Sequence, residues 1–290
     1  MLVIDGGQPR NAPAAHLHGF LSRDGYPPAQ LLAAGRREVR SYGGEIEHGI
    51  VQELVADGAS GFHVVLEDRR QLRARRVLVA TGLRDELPPV PGLRDRWGVD
   101  VLHCPYCHGY EVRDRRLAVL GGTDGAVRFA QIVRQWSHHV SYFSPVGALD
   151  PDDREAMIAR GIDVIDGSID HLVVDEDRLR GVQLDDGCVI ACDAVFVPPR
   201  FVPNSGLLAR LGCSPDDAGW VVTDATGRTS VPGVWAAGNV VDPRAQLITA
   251  AGAGSAAAIA LNGDLVDEDV RAALAAPSTQ QSTQHEGKLR

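Results

Sequence analysis

The sequence predicts an α/β protein of two related three-layer domains, and three features carry that expectation. Short apolar strands alternate with amphipathic helices, each half ends in a β-meander, and two Pro-rich breaks bracket the second half.

In chain order, Leu2-Val-Ile4-Asp5 reads as a strand. Pro28 to Tyr42 reads as a helix with Leu31, Leu32, Gly35 and Val39 on one face, and Ile46 starts the next strand. Ile50 to Val55, Phe62 to Glu67 and Leu72 to Ala80 form a meander that ends in Thr81-Gly82. Leu87-Pro-Pro-Val-Pro-Gly92 is the first break. Leu117-Ala-Val-Leu120 is a buried strand followed by Gly121-Gly122-Thr123-Asp124-Gly125, and a helix then runs to about Trp136. Val140 to Phe143 is a strand, Pro151 to Arg160 a helix and Ile162 to Ile165 a strand. His171 to Asp175, Leu179 to Asp185 and Val189 to Pro198 form the second meander, and Val197-Pro-Pro-Arg-Phe-Val-Pro203 is the second break. After Asp269 a short helix is expected to Ala276, with a polar, disordered tail from Pro277.

The halves share one design of strand, helix, strand, meander and return strand, which makes both of them Rossmann-like. The two breaks mark the chain crossing between domains. Residues 1–90 plus 201–266 form one discontinuous domain, residues 91–200 an inserted one, and 267–290 a tail. With Leu2–Asp5 aligned on Val140–Phe143, the first copy lacks the counterpart of residues 117–139, its opening βα unit and Gly-rich loop. Asp5 ends its strand where such folds place the acid that reads a ribose, and a turn residue is the alternative.

The composition is that of an ordinary packed protein, 44% hydrophobic and 23% charged over 290 residues. A formal net charge of −9 argues against general binding to nucleic acid or anionic membranes. No apolar run approaches the ~18 residues of a membrane span. The start of the chain lacks the basic and long apolar regions of a signal peptide, and a reducing cytoplasm is the expected compartment.

Five cysteines do not make a disulfide framework, but Cys104-Pro-Tyr-Cys107 pairs two of them at one helical turn. Such a pair can close a disulfide, share a metal or carry a haem. Pro105 suits the first turn of a helix, and a thiolate at a helix N-terminus is stabilised by the free N–H groups, so the local chemistry favours a reactive dithiol. Haem attachment at Cys-x-x-Cys-His108 needs export and an axial ligand, and the methionines are Met1 and Met157 alone. A structural zinc needs a second ligand pair, for which Cys188 and Cys192 stand four apart; small apolar fillers are the plainer reading of Cys188, Cys192 and Cys213.

Four motifs in order then resemble the low-molecular-weight thioredoxin reductase family of flavin disulfide reductases. These are the Cys104–Cys107 pair ahead of its Gly-rich loop, Ala80-Thr81-Gly82, Gly233-Val-Trp-Ala-Ala-Gly238-Asn239 and Gln246-Leu247-Ile-Thr249. Arg10-Asn11-Ala-Pro, His16-Leu-His18-Gly-Phe and Cys-Pro-Tyr-Cys-His-Gly-Tyr-Glu111 look like a sub-branch that includes dithiol oxidases acting on small natural products. The resemblance implies FAD held by Asp5, Arg10, Asn11, His18, Ala80, Thr81, Gly82, Gly238, Asn239, Gln246, Leu247 and Thr249. It implies that Cys107 faces the flavin, Cys104 meets the substrate, and His108 replaces the acid that donates protons in thioredoxin reductases. It also implies a homodimer, rotation between the domains, and a small-molecule or thioredoxin-like dithiol or disulfide as partner.

The second Gly-rich loop, Gly121, Gly122 and Gly125, is degenerate. Thr123 stands where a glycine lets backbone approach pyrophosphate, and Phe143-Ser-Pro-Val-Gly147 offers no acid or arginine pair to read a nicotinamide ribose. NADPH is therefore left open as electron donor. An FAD-dependent thiol–disulfide oxidoreductase is the leading expectation, with an NADPH-dependent thioredoxin reductase proper and a non-catalytic remnant unable to hold FAD as the alternatives.

Overall fold

A computed structural model of the chain describes residues 1–58 and 61–276, and each half carries parallel strands and a three-stranded antiparallel meander. The expected disorder from Pro277 onward lies outside the described residues. Strand β1 (Leu2–Asp5) lies parallel to β2 (Glu45–His48), with α1 (Pro28–Ser41) between them in sequence. Pro28 sits at the start of α1, where its missing N–H costs no hydrogen bond.

The first meander is β3 (Val51–Ala56), β4 (Phe62–Leu66) and β5 (Gln71–Ala74), all antiparallel. The sequence reads residues 72–80 as one strand, but the chain breaks at Arg75-Arg76. Strand β6 (Val77–Val79) leaves the meander to pair with a later strand. Phe62, Val64 and Leu66 point from β4 to one side and bury with Leu54, Val79 and Leu208. Strand β7 (Leu83–Glu86) then leads into the inserted domain.

That domain contains β8 (Val101–Leu102), α2 (Pro105–His108), β9 (Arg116–Leu120), α3 (Ala126–Val133) and β10 (His139–Ser144). It continues through α4 (Pro151–Ala159), β11 (Ile162–Asp166), the meander β12 (Ile169–Asp175), β13 (Arg178–Leu184) and β14 (Val189–Ala191), and β15 (Ala194–Phe196). The parallel sheet runs β11-β10-β9-β15-β8. Alternation along β9 makes the three layers. Leu117 and Val119 bury against Ala126, Ala130, Val133 and Met157 of the helices, while Ala118 and Leu120 bury against Leu172, Leu179, Val182 and Leu184 of the meander. Each such fully buried aliphatic side chain contributes about 1.5–3 kcal/mol, so a charge at Val119 would break the domain. Asp150 caps α4 by accepting the Asp152 amide at 2.9 Å.

The chain returns through β16 (Arg200–Pro203), which pairs antiparallel with β7. The two Pro-rich crossings thus adjoin a two-stranded ribbon rather than plain linkers. Helix α5 (Gly206–Arg210) and β17 (Val234–Ala236) follow, and β17 lies parallel to β6. Among the described residues β1 pairs with β2 alone and β6 with β17 alone, whereas β9 stands between β10 and β15 in the inserted domain.

Helix α6 (Leu247–Ala275) is one continuous element, which corrects the boundary placed at residue 266 and the separate short helix after Asp269. Its acidic stretch is not a stop signal. Arg76 Nε reaches Asp264 Oδ2 and Arg75 Nη1 reaches Asp269 Oδ1, both at 2.5 Å, with Glu268 beside them. The arginines at the break in the first meander thus meet α6 beyond the expected boundary. Among the described residues no helix is long and apolar enough to cross a membrane.

Candidate active site

Cys104 and Cys107 are joined by a disulfide. Cys104 is the N-cap of α2 and Pro105 its first helical residue, so the placement read from the sequence holds, on a helix of only four residues. Cys104, the sulfur expected on the substrate side, is 5% exposed, and Cys107 is the more open of the two. Tyr106 and Tyr110 are exposed beside the pair, with Arg113 stacked 4.0 Å from the Tyr110 ring.

The pair sits at the N-terminus of α6. Gln246, the N-cap residue, places Oε1 3.3 Å from Cys107 Sγ and Nε2 3.8 Å from Cys104 Sγ. Leu247 and Thr249 lie in the first turn, where backbone N–H groups have no partner within the helix. Gly238 opens the 3-10 turn Gly238–Val240 with φ +76°, a value that glycine adopts without strain. Asn239 donates from Nδ2 to the carbonyls of Asp242 at 2.9 Å and Ala245 at 3.0 Å, holding the loop that leads into α6. An acid at this position could not make those two donations.

The residues after β6 are clamped from the returning strand. Thr81 Oγ1 donates to the Asn204 carbonyl at 2.8 Å, and Asn204 Nδ2 donates to the Thr81 carbonyl at 2.9 Å. The Asn204 amide donates to the Gly82 carbonyl at 2.9 Å, and Ala80 beside them is exposed.

Other expected ligands have found partners within the protein. Asp5 accepts the Gly7 amide at 2.8 Å and Arg36 at 2.7 Å, and the arginine hydrogen bond holds its carboxyl below the usual range. Arg10 forms a bidentate pair with Asp85 on β7 at 2.6 and 2.7 Å, and stacks 5.2 Å from the Phe201 ring on β16. Its Nη2 also lies 3.3 Å from His103 Nε2, so Arg10 ties the N-terminal segment to the ribbon and to the strand end before Cys104. The Asn11 carbonyl closes a turn with the Ala14 amide. His16 Nδ1 lies 3.2 Å from the Gly25 carbonyl. His18 is held between Glu111 and Asp24, which raise its pKa against the opposing effect of burial.

His108 ends α2, and both its ring nitrogens are buried without a partner, as is Glu111 Oε2. Burial pushes the His108 imidazole down and the charge of Glu111 draws it back up. Glu111, Asp24, Asp85, His103 and Asn204 were not singled out from the sequence as site residues. Only Glu111 carried a signal, an acid three residues beyond a histidine in the same motif.

The Gly-rich loop of the inserted domain is tightly packed. A Cβ on Gly121 would stand 2.4 Å from the Tyr142 hydroxyl and 2.5 Å from the Phe143 carbonyl, so glycine is needed there for close packing against β10. Gly122 turns the loop at φ +85°, and Gly125 caps α3. At the end of β10, Ser144 is buried with its hydroxyl on the Pro145 carbonyl. Away from these sites Cys188 is exposed, while burial pushes the Cys192 thiol up to about 12, which leaves it unreactive.

Two nucleotide-type α/β domains joined by a strand ribbon, with a disulfide at the mouth between them, define a flavin-linked disulfide oxidoreductase. The chain belongs to the pyridine nucleotide-disulphide oxidoreductase family, whose model matches residues 26–255. It is 29% identical to the thioredoxin reductase sirT of Leptosphaeria maculans, over 93% of this chain and 88% of that protein. It is also 29% identical to the thioredoxin reductase of Listeria monocytogenes, over 88% and 81%. Among solved structures, HlmI superposes with a TM-score of 0.91 at 55% identity, covering 94% of this chain and 87% of that one. The thioredoxin reductase TrxB of Bacillus anthracis superposes at 0.87 with 30% identity, over 92% and 91%.

The residues at the α6 mouth fit the ring end of FAD. Three features coincide there: free helix N-terminal N–H groups, a glycine turn at Gly238 and a redox disulfide. Gln246, Leu247, Thr249, Gly238, Asn239, Thr81 and Gly82 are the residues that would hold it.

Proposed function

We propose that this flavin disulfide oxidoreductase works in the oxidising direction, closing a substrate dithiol to a disulfide at Cys104–Cys107. The observation that carries this reading is the closed Gly-rich loop of the inserted domain. Gly121 is packed against the Tyr142 hydroxyl and the Phe143 carbonyl, and β10 ends in a buried serine rather than a group that reads a nicotinamide ribose. Electrons then enter from the substrate.

One substrate thiol gives its proton to His108, and the thiolate attacks Cys104, breaking the Cys104–Cys107 bond. The second substrate thiol displaces Cys104 from the mixed disulfide. The substrate leaves two electrons and two protons poorer, and the cysteine pair is reduced to two thiols. Gln246 accepts from the Cys107 thiol once that proton is present. Bound FAD supplies the acceptor for the pair's two electrons, and oxygen or another oxidant disposes of them. Cys104 is buried in this arrangement, so the attack requires that it be uncovered. Exposed Tyr106 and Tyr110 favour a small, flat, partly apolar dithiol over a charged protein surface.

The test loads the protein with FAD under nitrogen and adds dithiothreitol or NADPH separately. Bleaching of the flavin band by the dithiol alone, lost in Cys104→Ser and Cys107→Ser, is expected. Bleaching by NADPH would instead make the protein an NADPH-dependent reductase of the thioredoxin reductase type. Failure to take up flavin would leave the non-catalytic reading.

A further inference from the structure

The chain between β1 and α1, residues 6–27, is far longer than its counterpart in the other half. There the same strand-to-helix junction, from β10 to α4, takes residues 145–150. Irregular segments as long as 6–27 are uncommon inside a packed domain and usually serve a site. This one reaches out of its own half at three places. Arg10 pairs with Asp85 on the ribbon and approaches His103, the residue before Cys104. Pro13 packs on Gly98, where an added Cβ would stand 2.5 Å from the Pro13 Cβ. His18 Nε2 donates to Glu111 Oε1, and the His18 ring lies 6.4 Å from that of Tyr110. Tyr110 and Glu111 follow shortly after Cys107, so the contacts bracket the cysteine pair from both sides along the chain.

The two ends of this segment are held differently. At the Arg10 end the pair with Asp85 is bidentate, the Asp85 side chain is 7% exposed, and the Phe201 ring lies under the guanidinium. The other end is a small lap closed at its base. Leu17 is buried, its amide donates to the Tyr26 carbonyl at 2.9 Å, and the Gly25 amide returns to the Leu17 carbonyl at 2.8 Å. Within the lap Gly19 and Gly25 have φ of +72° and +75°, and a Cβ on either would meet open space. Leu21 at the tip is exposed. Among the described residues His18 is the polar link from this lap to the inserted domain.

We propose that residues 6–27 are a strap that closes over the Cys104–Cys107 pair, anchored at Arg10 and latched at His18. Unlatching lifts residues 18–25 from Tyr110 and Glu111 and uncovers Cys104, which is 5% exposed with the strap closed. A lap held by one hydrogen-bonded side chain opens locally, without loss of either core. The inference deepens the function proposed above and rests on Cys104 as the sulfur that a substrate must reach.

The full chain carrying Cys107→Ser presents Cys104 as a free thiol, and the experiment measures its alkylation by iodoacetamide. The rate is followed as pH rises to the plateau at which the thiol is fully ionised, so the plateau reads access rather than charge. Peptide mass mapping separates Cys104 from the exposed Cys188. Adding His18→Ala or Asp85→Ala should raise the plateau about tenfold or more. Asp193→Ala, which removes an ion pair with Arg116 elsewhere in the inserted domain, should leave it at the Cys107→Ser value. Where a strap variant does not fold, His18→Gln or Asp85→Asn takes its place. An unchanged or slower plateau in either folded strap variant overturns the strap, as does an equal rise in Asp193→Ala. The measurement needs neither flavin nor electron flow. Failure of dithiothreitol to bleach the flavin would therefore reject the dithiol reading while these rates still decide the strap.

Discussion

Replacing His103 by Gln should flatten the acid side of the stability curve by an amount that the structure sets. His103 immediately precedes Cys104, stacks on Trp97 with centroids 6.0 Å apart and meets Phe201 edge-on at 5.6 Å. Its Nε2 lies 3.3 Å from Arg10 Nη2. A guanidinium only donates, so this nitrogen is the unprotonated acceptor. Burial first, and the Arg10 charge second, push the imidazole down to about 4 from its ordinary 6.5. The unfolded chain therefore takes up a proton here below pH ~6.5 that the folded chain refuses until about pH 4, and acid favours unfolding across that window. Stability present above the window is lost as pH falls, by about 2 kcal/mol at pH 5 and about 3 kcal/mol at pH 4. The Gln variant loses ring stacking at every pH but has no proton to gain. The wild-type advantage over the variant should thus shrink by about 2 kcal/mol between pH 7 and pH 5. Urea titrations at the two pH values, followed by far-UV circular dichroism, measure it. An advantage that stays constant from pH 7 to pH 5 would refute the reasoning. The same protonation puts a second cation against Arg10, in the segment leading into the cysteine pair.

Two further outcomes follow from local geometry. Gly121→Ala should destabilise the inserted domain by about 1–3 kcal/mol in urea titration, because its Cβ has no room between Tyr142 and the Phe143 carbonyl. An unchanged midpoint would mean the loop is looser than described. Asn239→Asp removes both donations to the loop before α6 and faces two carbonyl oxygens with a carboxylate, at a cost of about 1–3 kcal/mol. Flavin retained through gel filtration should fall in parallel, and full retention with unchanged stability would show that Asn239 does not hold the loop.

Much of the fold was legible because its signals are local. Apolar strands four to six residues long, glycine loops and the Pro28 helix start each declare themselves within a few positions. Where the reading slipped, a distant partner decided the outcome. Strand β6 leaves the meander to pair with β17, and α6 runs on to meet Arg75 and Arg76, with sequence separations of 188 from Arg76 to Asp264 and 194 from Arg75 to Asp269. Arg10 and His18, which the family resemblance places at the flavin, are each engaged by an acid far along the chain, Asp85 and Glu111.

The sequence by itself determined the α/β class and the placement of the cysteine pair on a proline-started turn. Both depend on residue type at short spacing, where backbone geometry leaves few choices. Only the tertiary structure decided what surrounds the pair. Gln246 reaches Cys107 across 139 residues and His18 reaches Glu111 across 93. Such contacts depend on how the two domains close around their shared ribbon, and no periodicity or local spacing records that.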